Sequence, residues 1–307
     1  MSPPRSTKWI QSSNTPYRIE AWLYTSASRV SGSTPLVILG HGIGAVKAGG
    51  LSPFANAFVA HGYAALSFDY LSFGGSEGEP RNVVNVDQEL RDFRDVIAWA
   101  RNEEAFDPQR IVVWGSSFGG MHITALMTLD HNLAGGIAQC PCVDGFGASM
   151  EAPMLRSLRM TTWALIDYLA SFFSKTPIYI TTAPIPKTPP NTLTILDAPD
   201  VLEGWQRIMP EDGRPFINHI ASRSLFSIIQ HRPNLHVHKS IKPLLIMAPT
   251  YDSVAPLKAA EQVAKDAPLG ELVRLPGGHF DVYAGGIAFE ENIKAQMEFL
   301  HRVAPVS

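Results

Sequence analysis

This sequence predicts an α/β fold, with a mostly parallel central sheet, helices on both faces and an inserted cap. Three observations carry the expectation. Strand-like and helix-like segments alternate through residues 1–144, cease over 145–240, and resume from 241 to 307. One apolar run, residues 111–114, passes directly into Gly115-Ser116-Ser117-Phe118-Gly119 and then into a helix-forming stretch. The interruption is rich in proline and aromatic residues. Alternation of this kind marks a parallel sheet covered on both sides. Residues 1–144 and 241–307 are therefore assigned to the core and 145–240 to the cap.

Taken in order, residues 17–24 read as a strand paired with the segment around 8–11. Residues 35–40 form a short apolar strand ending in His41-Gly42-Ile43-Gly44. Residues 51–61 read as a helix stopped by Gly62, and 63–68 as the next strand. After the polar, glycine-rich stretch 69–81, residues 87–101 set Leu90, Phe93, Ile97 and Ala100 at the 3–4 spacing of an amphipathic helix. Asp107-Pro108 reads as a turn before the 111–114 strand. A helix over 121–129 and a strand over 134–140 follow. In the cap, 163–173 and 221–229 read as helices, and 178–182 and 192–196 as strands or an extended arm. The last stretch gives a strand at 243–248, a helix at 256–265, a strand at 271–275 and a closing helix at 289–303.

Composition bounds the chemistry. Hydrophobic content of 45% and 17% charged residues describe an ordinary globular chain. A net charge of −3 without a basic run argues against nucleic acid and anionic membrane surfaces as partners. The first eight residues lack the apolar core of a signal peptide, and no run of about 18 apolar residues is present. Cys140 and Cys142 flank a single proline, a spacing that rarely pairs, and two thiols do not make a structural zinc site. A reduced, cytoplasmic protein without metal or cofactor is expected.

Gly115-Ser-Ser-Phe-Gly119 spells G-x-S-x-G, which presents a serine on a sharp strand-to-helix turn. A serine hydroxyl is a weak nucleophile until a base takes its proton, and that base needs a carboxylate to orient it. His279, in the glycine-flanked loop after the last strand, is the candidate base. Of the other histidines, His41 belongs to the loop at residues 41–44 and His122 to the helix after the serine. His219, His231, His236 and His238 are expected at the surface, and His61, His131 and His301 at helix ends or turns. Asp252, just past the 243–248 strand, is the candidate acid, with a helix N-cap as its alternative role. Asp144, after the 134–140 strand, is its rival, and Asp281 reads as a loop anchor. Two N–H donors must meet the developing oxyanion. Phe118 supplies one, and Ile43, with Gly44 second, the other. The glycines at 40, 42 and 44 lack the spacing and acidic partner of a dinucleotide site.

With these parts in place, the chain resembles the α/β-hydrolase superfamily over nearly its full length. Gly40-His-Gly-Ile-Gly-Ala-Val-Lys47, Phe68-Asp-Tyr-Leu-Ser-Phe-Gly-Gly-Ser-Glu-Gly78, Gly115-Ser-Ser-Phe-Gly-Gly120 and Gly278-His-Phe-Asp-Val-Tyr283 are similar to a fungal branch of polyketide transferases and thiohydrolases. The resemblance implies Ser117, Asp252 and His279 as a catalytic triad and Ile43 and Phe118 as oxyanion donors. It implies a small-molecule or carrier-protein-bound acyl substrate, and a polyketide synthase as a possible partner. The expected activity is serine-dependent hydrolysis of an ester or thioester of a hydrophobic acyl chain. Trp163, Phe172, Phe173, Trp205, Phe216 and Phe226 are the aromatic residues expected to favour such a chain. Acyl transfer to an alcohol or lactone formation is the alternative within enzymes, and a non-catalytic receptor or scaffold the alternative outside them.

Overall fold

The computed structural model describes residues 5–26, 34–174, 176–210 and 216–306. The leader reading of the first eight residues falls partly on residues 1–4, outside that range. In chain order the elements are β1 (Arg5–Gln11), β2 (Arg18–Tyr24), β3 (Thr34–Gly40), α1 (Ser52–Ala60), β4 (Ala64–Phe68), α2 (Val86–Asn102), β5 (Phe106–Ser116), α3 (Phe118–Leu126) and β6 (Gly135–Gln139). Next come α4 (Gly145–Glu151), α5 (Met154–Ala170), β7 (Tyr179–Thr181), α6 (Val201–Ile208), β8 (His219–Ala221) and α7 (Ser224–Gln230). The chain closes with β9 (Leu244–Pro249), α8 (Leu257–Asp266), β10 (Gly270–Leu275) and α9 (Phe289–Val303).

Eight strands form one sheet in the order β1-β2-β4-β3-β5-β6-β9-β10. The pairs β1–β2 and β2–β4 are antiparallel, and all others are parallel. The unbroken apolar runs of β3, β4 and β9 are explained by burial along their full length. Alternate residues feed opposite faces. Leu36, Ile38, Ile111 and Val113 pack with Phe93 of α2 and Met121 of α3. Val37, Leu39, Val112 and Trp114 pack with Phe54 of α1 and Phe299 of α9. This is the mostly parallel, helix-covered sheet expected from the alternation.

Three details differ from the sequence reading. The helix expected over 163–173 is α5, which begins nine residues earlier at Met154 and ends at Ala170. β5 begins at Phe106 rather than at 111, because Phe106 pairs with Thr34 before Ile111 pairs with Leu36. The expected turn at Asp107-Pro108 survives as a bulge inside the strand, where the Asp107 carboxylate accepts from Gln109 N–H at 2.8 Å and Arg110 Nε at 2.7 Å. In the 145–240 stretch, helix begins at Ser224 and not at 221, because His219–Ala221 pairs antiparallel with Tyr179–Thr181. The 192–196 arm reaches this ribbon through one bridge, Thr194 to Thr181. β6 and β9 are direct sheet neighbours, so the stretch between them leaves and rejoins the sheet at one place.

Candidate active site

Ser117 sits at the joint of β5 and α3 with φ 57° and ψ −115°. A non-glycine residue there is strained by about 1–3 kcal/mol and persists only where its surroundings over-determine it. They do so here. Ser117 N–H donates to Gln139 O on β6 at 2.8 Å, and its carbonyl accepts from Met121 N–H at 3.1 Å. A Cβ on Gly119 would stand 2.6 Å from Gly40 O and 2.7 Å from His41 O, and one on Gly115 2.3 Å from Gly119 O. Strand, helix and the His41-Gly42 loop thus converge on the serine, which only glycines permit.

His279 and Asp252 meet at the same end of the sheet. Imidazole Nδ1 lies 2.9 and 3.0 Å from the two Asp252 oxygens, in a pair whose side chains are 3% and 1% exposed. Asp252 Oδ1 also accepts from Val254 N–H at 2.9 Å and Ala255 N–H at 2.7 Å, so it anchors its own loop rather than capping α8. Burial lowers the His279 pKa, but the Asp252 carboxylate, with the Cys140 thiol behind the ring, outweighs it and raises it well above the usual value. Nε2 faces Cys140 Sγ at 3.9 Å. The Ser117 hydroxyl makes no hydrogen bond among the described residues. It shares with His279 the lining of a gap of about 10 Å³, room for one water-sized group. Trp205 and Ile208 of α6 wall that gap.

Asp144 is engaged elsewhere. Arg232 holds both of its oxygens at 2.8 and 2.9 Å, Asn234 donates at 3.1 Å, and Gly147 N–H donates at 2.9 Å as α4 begins. Asp281 anchors its loop by accepting from Gly278 N–H at 2.9 Å. Neither Phe118 N–H nor Ile43 N–H is spent on another group among the described residues. Ile43, Ser117 and Phe118 line one cavity of about 390 Å³. Gly44 instead backs onto the 145–240 stretch, where a Cβ would meet Thr182 Oγ1 at 2.6 Å.

His41 is buried beside Gly42, its pKa lowered by burial to about 4. His122 is also buried, with Glu89 at 2.7 Å, and burial lowers it to about 3. Among the four histidines expected at the surface, His236 and His238 are exposed. His231 packs at 5.6 Å on the His122 ring, and His219 at 4.1 Å on Tyr179. These two correct the sequence reading, because β8 and α7 fold back onto the core. Trp163, Phe172 and Phe173 also depart from it, standing exposed on the far side of α5. Trp205 lines the gap beside Ser117, with Phe216 at 5.8 Å from it.

The sequence reading missed what supports the serine from below. Ser116 Oγ hydrogen-bonds Tyr283 OH at 2.6 Å and accepts from Gln139 Nε2 at 2.9 Å. Gln139 Oε1 accepts from Asn292 Nδ2 at 2.6 Å and from Gln296 Nε2 at 3.2 Å. The signal was two polar residues four apart on an otherwise apolar face of α9. A second missed link is Lys47, whose Nζ reaches Asp69 at 2.5 Å with both side chains buried. Among the described residues, Cys140, Asp252 and His279 are the one grouping of metal-binding type, with donor atoms within 4.8 Å. The Asp252 oxygens there are already committed to the imidazole and to loop amides.

Comparison with known proteins agrees with the fold. The sequence profile of the X-Pro dipeptidyl-peptidase (S15 family) matches residues 12–181. The quorum-quenching protein AidA of Acinetobacter baumannii is 35% identical over 303 residues, covering 99% of this chain and 97% of that protein. The polyketide transferase grgF of a Penicillium species is 26% identical over 290 residues, 92% of each chain. The crystal structure of the α/β hydrolase GrgF from Penicillium sp. sh18 shares the fold with a TM-score of 0.81 at 23% identity, over 99% of this chain and 100% of that one. The chain therefore belongs to the X-Pro dipeptidyl-peptidase (S15) family and is an enzyme of the α/β-hydrolase class, resembling its fungal polyketide transferase and thiohydrolase branch.

Proposed function

We propose that the protein is a serine-dependent acyl hydrolase that opens esters or thioesters of hydrophobic acyl chains. The observation that carries this reading is the strained Ser117 beside the buried Asp252–His279 pair. Ser117 Oγ attacks the carbonyl carbon while His279 Nε2 takes its proton. Asp252 keeps the Nδ1–H tautomer and stabilises the imidazolium. The Phe118 and Ile43 amides receive the oxyanion, each contributing about 3–4 kcal/mol at the transition state. His279 then protonates the leaving alcohol or thiol, and water, deprotonated by the same imidazole, releases the acid and frees the serine.

In this reading residues 145–240 act as a cap that selects the acyl chain. The 390 Å³ cavity over Ser117 is walled by Ala148, Ala152, Pro153 and Ile195 of that stretch. It shares Ala148, Ala152, Arg156, Ile195 and Ile228 with a larger apolar chamber of about 600 Å³ between α4, α5 and α7. A chain esterified at Ser117 thus has an apolar path away from the sheet. Relatives named polyketide transferase and thiohydrolase favour the same acyl chemistry, and the proposal extends to acyl groups delivered by a carrier protein of a polyketide synthase.

Labelling with a serine-directed fluorophosphonate tests the mechanism. The wild type is expected to label and to cleave activated esters, and Ser117→Ala to lose both. An unlabelled, inactive wild type would return the fold to the scaffold reading. Incubation of a medium-chain thioester with and without a candidate alcohol separates hydrolysis from transfer. Free acid as the sole product supports the hydrolase, and ester product replaces it with the transferase.

A further inference from the structure

The outer face of α5 is built the wrong way round for a surface helix. Two of its charged side chains, Asp167 and Arg156, point inward, while Arg159, Thr161 and Thr162 are exposed. Asp167 is fully buried and accepts from Ile178 N–H at 2.7 Å and Arg223 N–H at 2.9 Å, and Arg156 donates to the carbonyls of Thr194 and Ile195 at 2.7 and 2.9 Å. Most of its large apolar side chains point outward. Ten large apolar residues between Met154 and Phe173 stand 43–93% exposed. At roughly 150–250 Å² for a large side chain, that is on the order of 1,000 Å² of apolar surface. Monomers rarely expose more than a few hundred Å² in one patch.

We infer that this face is covered by the same face of a second copy of the chain, the two α5 helices packing antiparallel about a twofold axis. Three features select that occupant. Leu155, Leu158, Thr162, Leu165 and Leu169 fall at alternating spacings of three and four, the seam along which identical helices interlock, and Phe172 continues it past the helix end. The exposed area matches the roughly 800 Å² that each partner buries in a stable interface. A helix lying on a membrane carries lysine and arginine along its polar flank. Among the described residues of this face Arg159 is the one basic side chain, since Arg156 is tied inward. Thr162, the single polar residue of the seam, is its midpoint, so the twofold sets it against its own copy.

Sedimentation equilibrium at micromolar concentration should give twice the chain mass of 33.5 kDa for the wild type. The double variant Leu158→Glu/Leu165→Glu should give a mass of one chain, with an unchanged circular dichroism spectrum as the check on folding. Thr162→Cys, a substitution at an exposed site, should form a disulfide-linked dimer on mild oxidation and leave no free thiol at that position. A wild type of single-chain mass overturns the inference, and flotation of that monomer with phosphatidylcholine–phosphatidylglycerol vesicles would assign the face to a membrane instead. A dimer that survives the double variant and fails to cross-link through Thr162→Cys places the interface elsewhere and equally overturns it.

Discussion

Asparagine at position 252 keeps the size of the acid and removes its charge from His279 Nδ1, which lies 2.9 Å away. Asp252→Asn should lower kcat by roughly 10²–10⁴, the loss expected when the base sits in the wrong tautomer. Asp144→Asn, whose wild-type carboxylate is held by Arg232 and Asn234, should leave kcat within severalfold and appear as lost stability. Steady-state kinetics on an activated ester decide it, and a larger kcat loss at 144 would exchange the two roles. The same pair fixes two pH dependences of opposite sense. Burial lowers the His279 pKa and Asp252 raises it by more, so the folded value lies above the usual 6.5. Only the neutral ring is a base, so kcat/KM should fall on the acid side along a limb placed above pH 6.5. In Asp252→Asn that limb should move to lower pH. The pair's contribution to stability is complete below the unfolded pKa and is lost as pH rises through the raised folded value. Activity therefore gains where this contribution fades, and a thermal-melt series set beside a pH–rate profile would reveal it.

At the scale of elements, α9, the last helix, is tied to the serine turn. Asn292 donates to Gln139 Oε1 and, at 2.9 Å, to Val282 O, so it holds both β6 and the loop that carries His279. Asn292→Leu takes the donor from Val282 O and one of two donors from Gln139 Oε1 in a dry interior, and should cost about 1–3 kcal/mol. Its exposed neighbour in Glu291→Gln should cost nothing measurable. Urea unfolding checks this, and equal midpoints for the two variants would mean the network carries no stability. The contrast shows why the sequence revealed some parts and hid others. Gly115, Ser117, Gly119 and the His41-Gly42 pair were legible because a sharp turn dictates residue type locally. Asp252 and His279 were legible because each follows a strand in the order such a site needs. The tie between Lys47 and Asp69 was not, since it depends on how two loops meet. Nor was the facing of α5, because a helix apolar on so many sides has no pattern that says which side is inner. For that reason Trp163, Phe172 and Phe173, read as favouring a hydrophobic acyl chain, turn out to be exposed.

For the whole molecule, the proposed function has the sheet and its loops set the chemistry and the 145–240 stretch set what reaches it. The route from Ser117 through the 390 Å³ cavity to the 600 Å³ chamber is lined mainly by apolar side chains. Each methylene moved from water into such a space contributes about 0.8 kcal/mol, or roughly fourfold in binding. If the acyl chain takes this route, kcat/KM should climb with acyl length by up to about that factor per carbon and level off when the chamber is full. Met160 lines the chamber and not the cavity at Ser117. Met160→Trp should therefore bring the plateau to shorter chains while leaving the shortest esters and fluorophosphonate labelling unchanged. A chain-length series on both proteins decides it. A flat series in the wild type, or equal losses at every length in the variant, would move the acyl chain out of this chamber and leave the triad untouched.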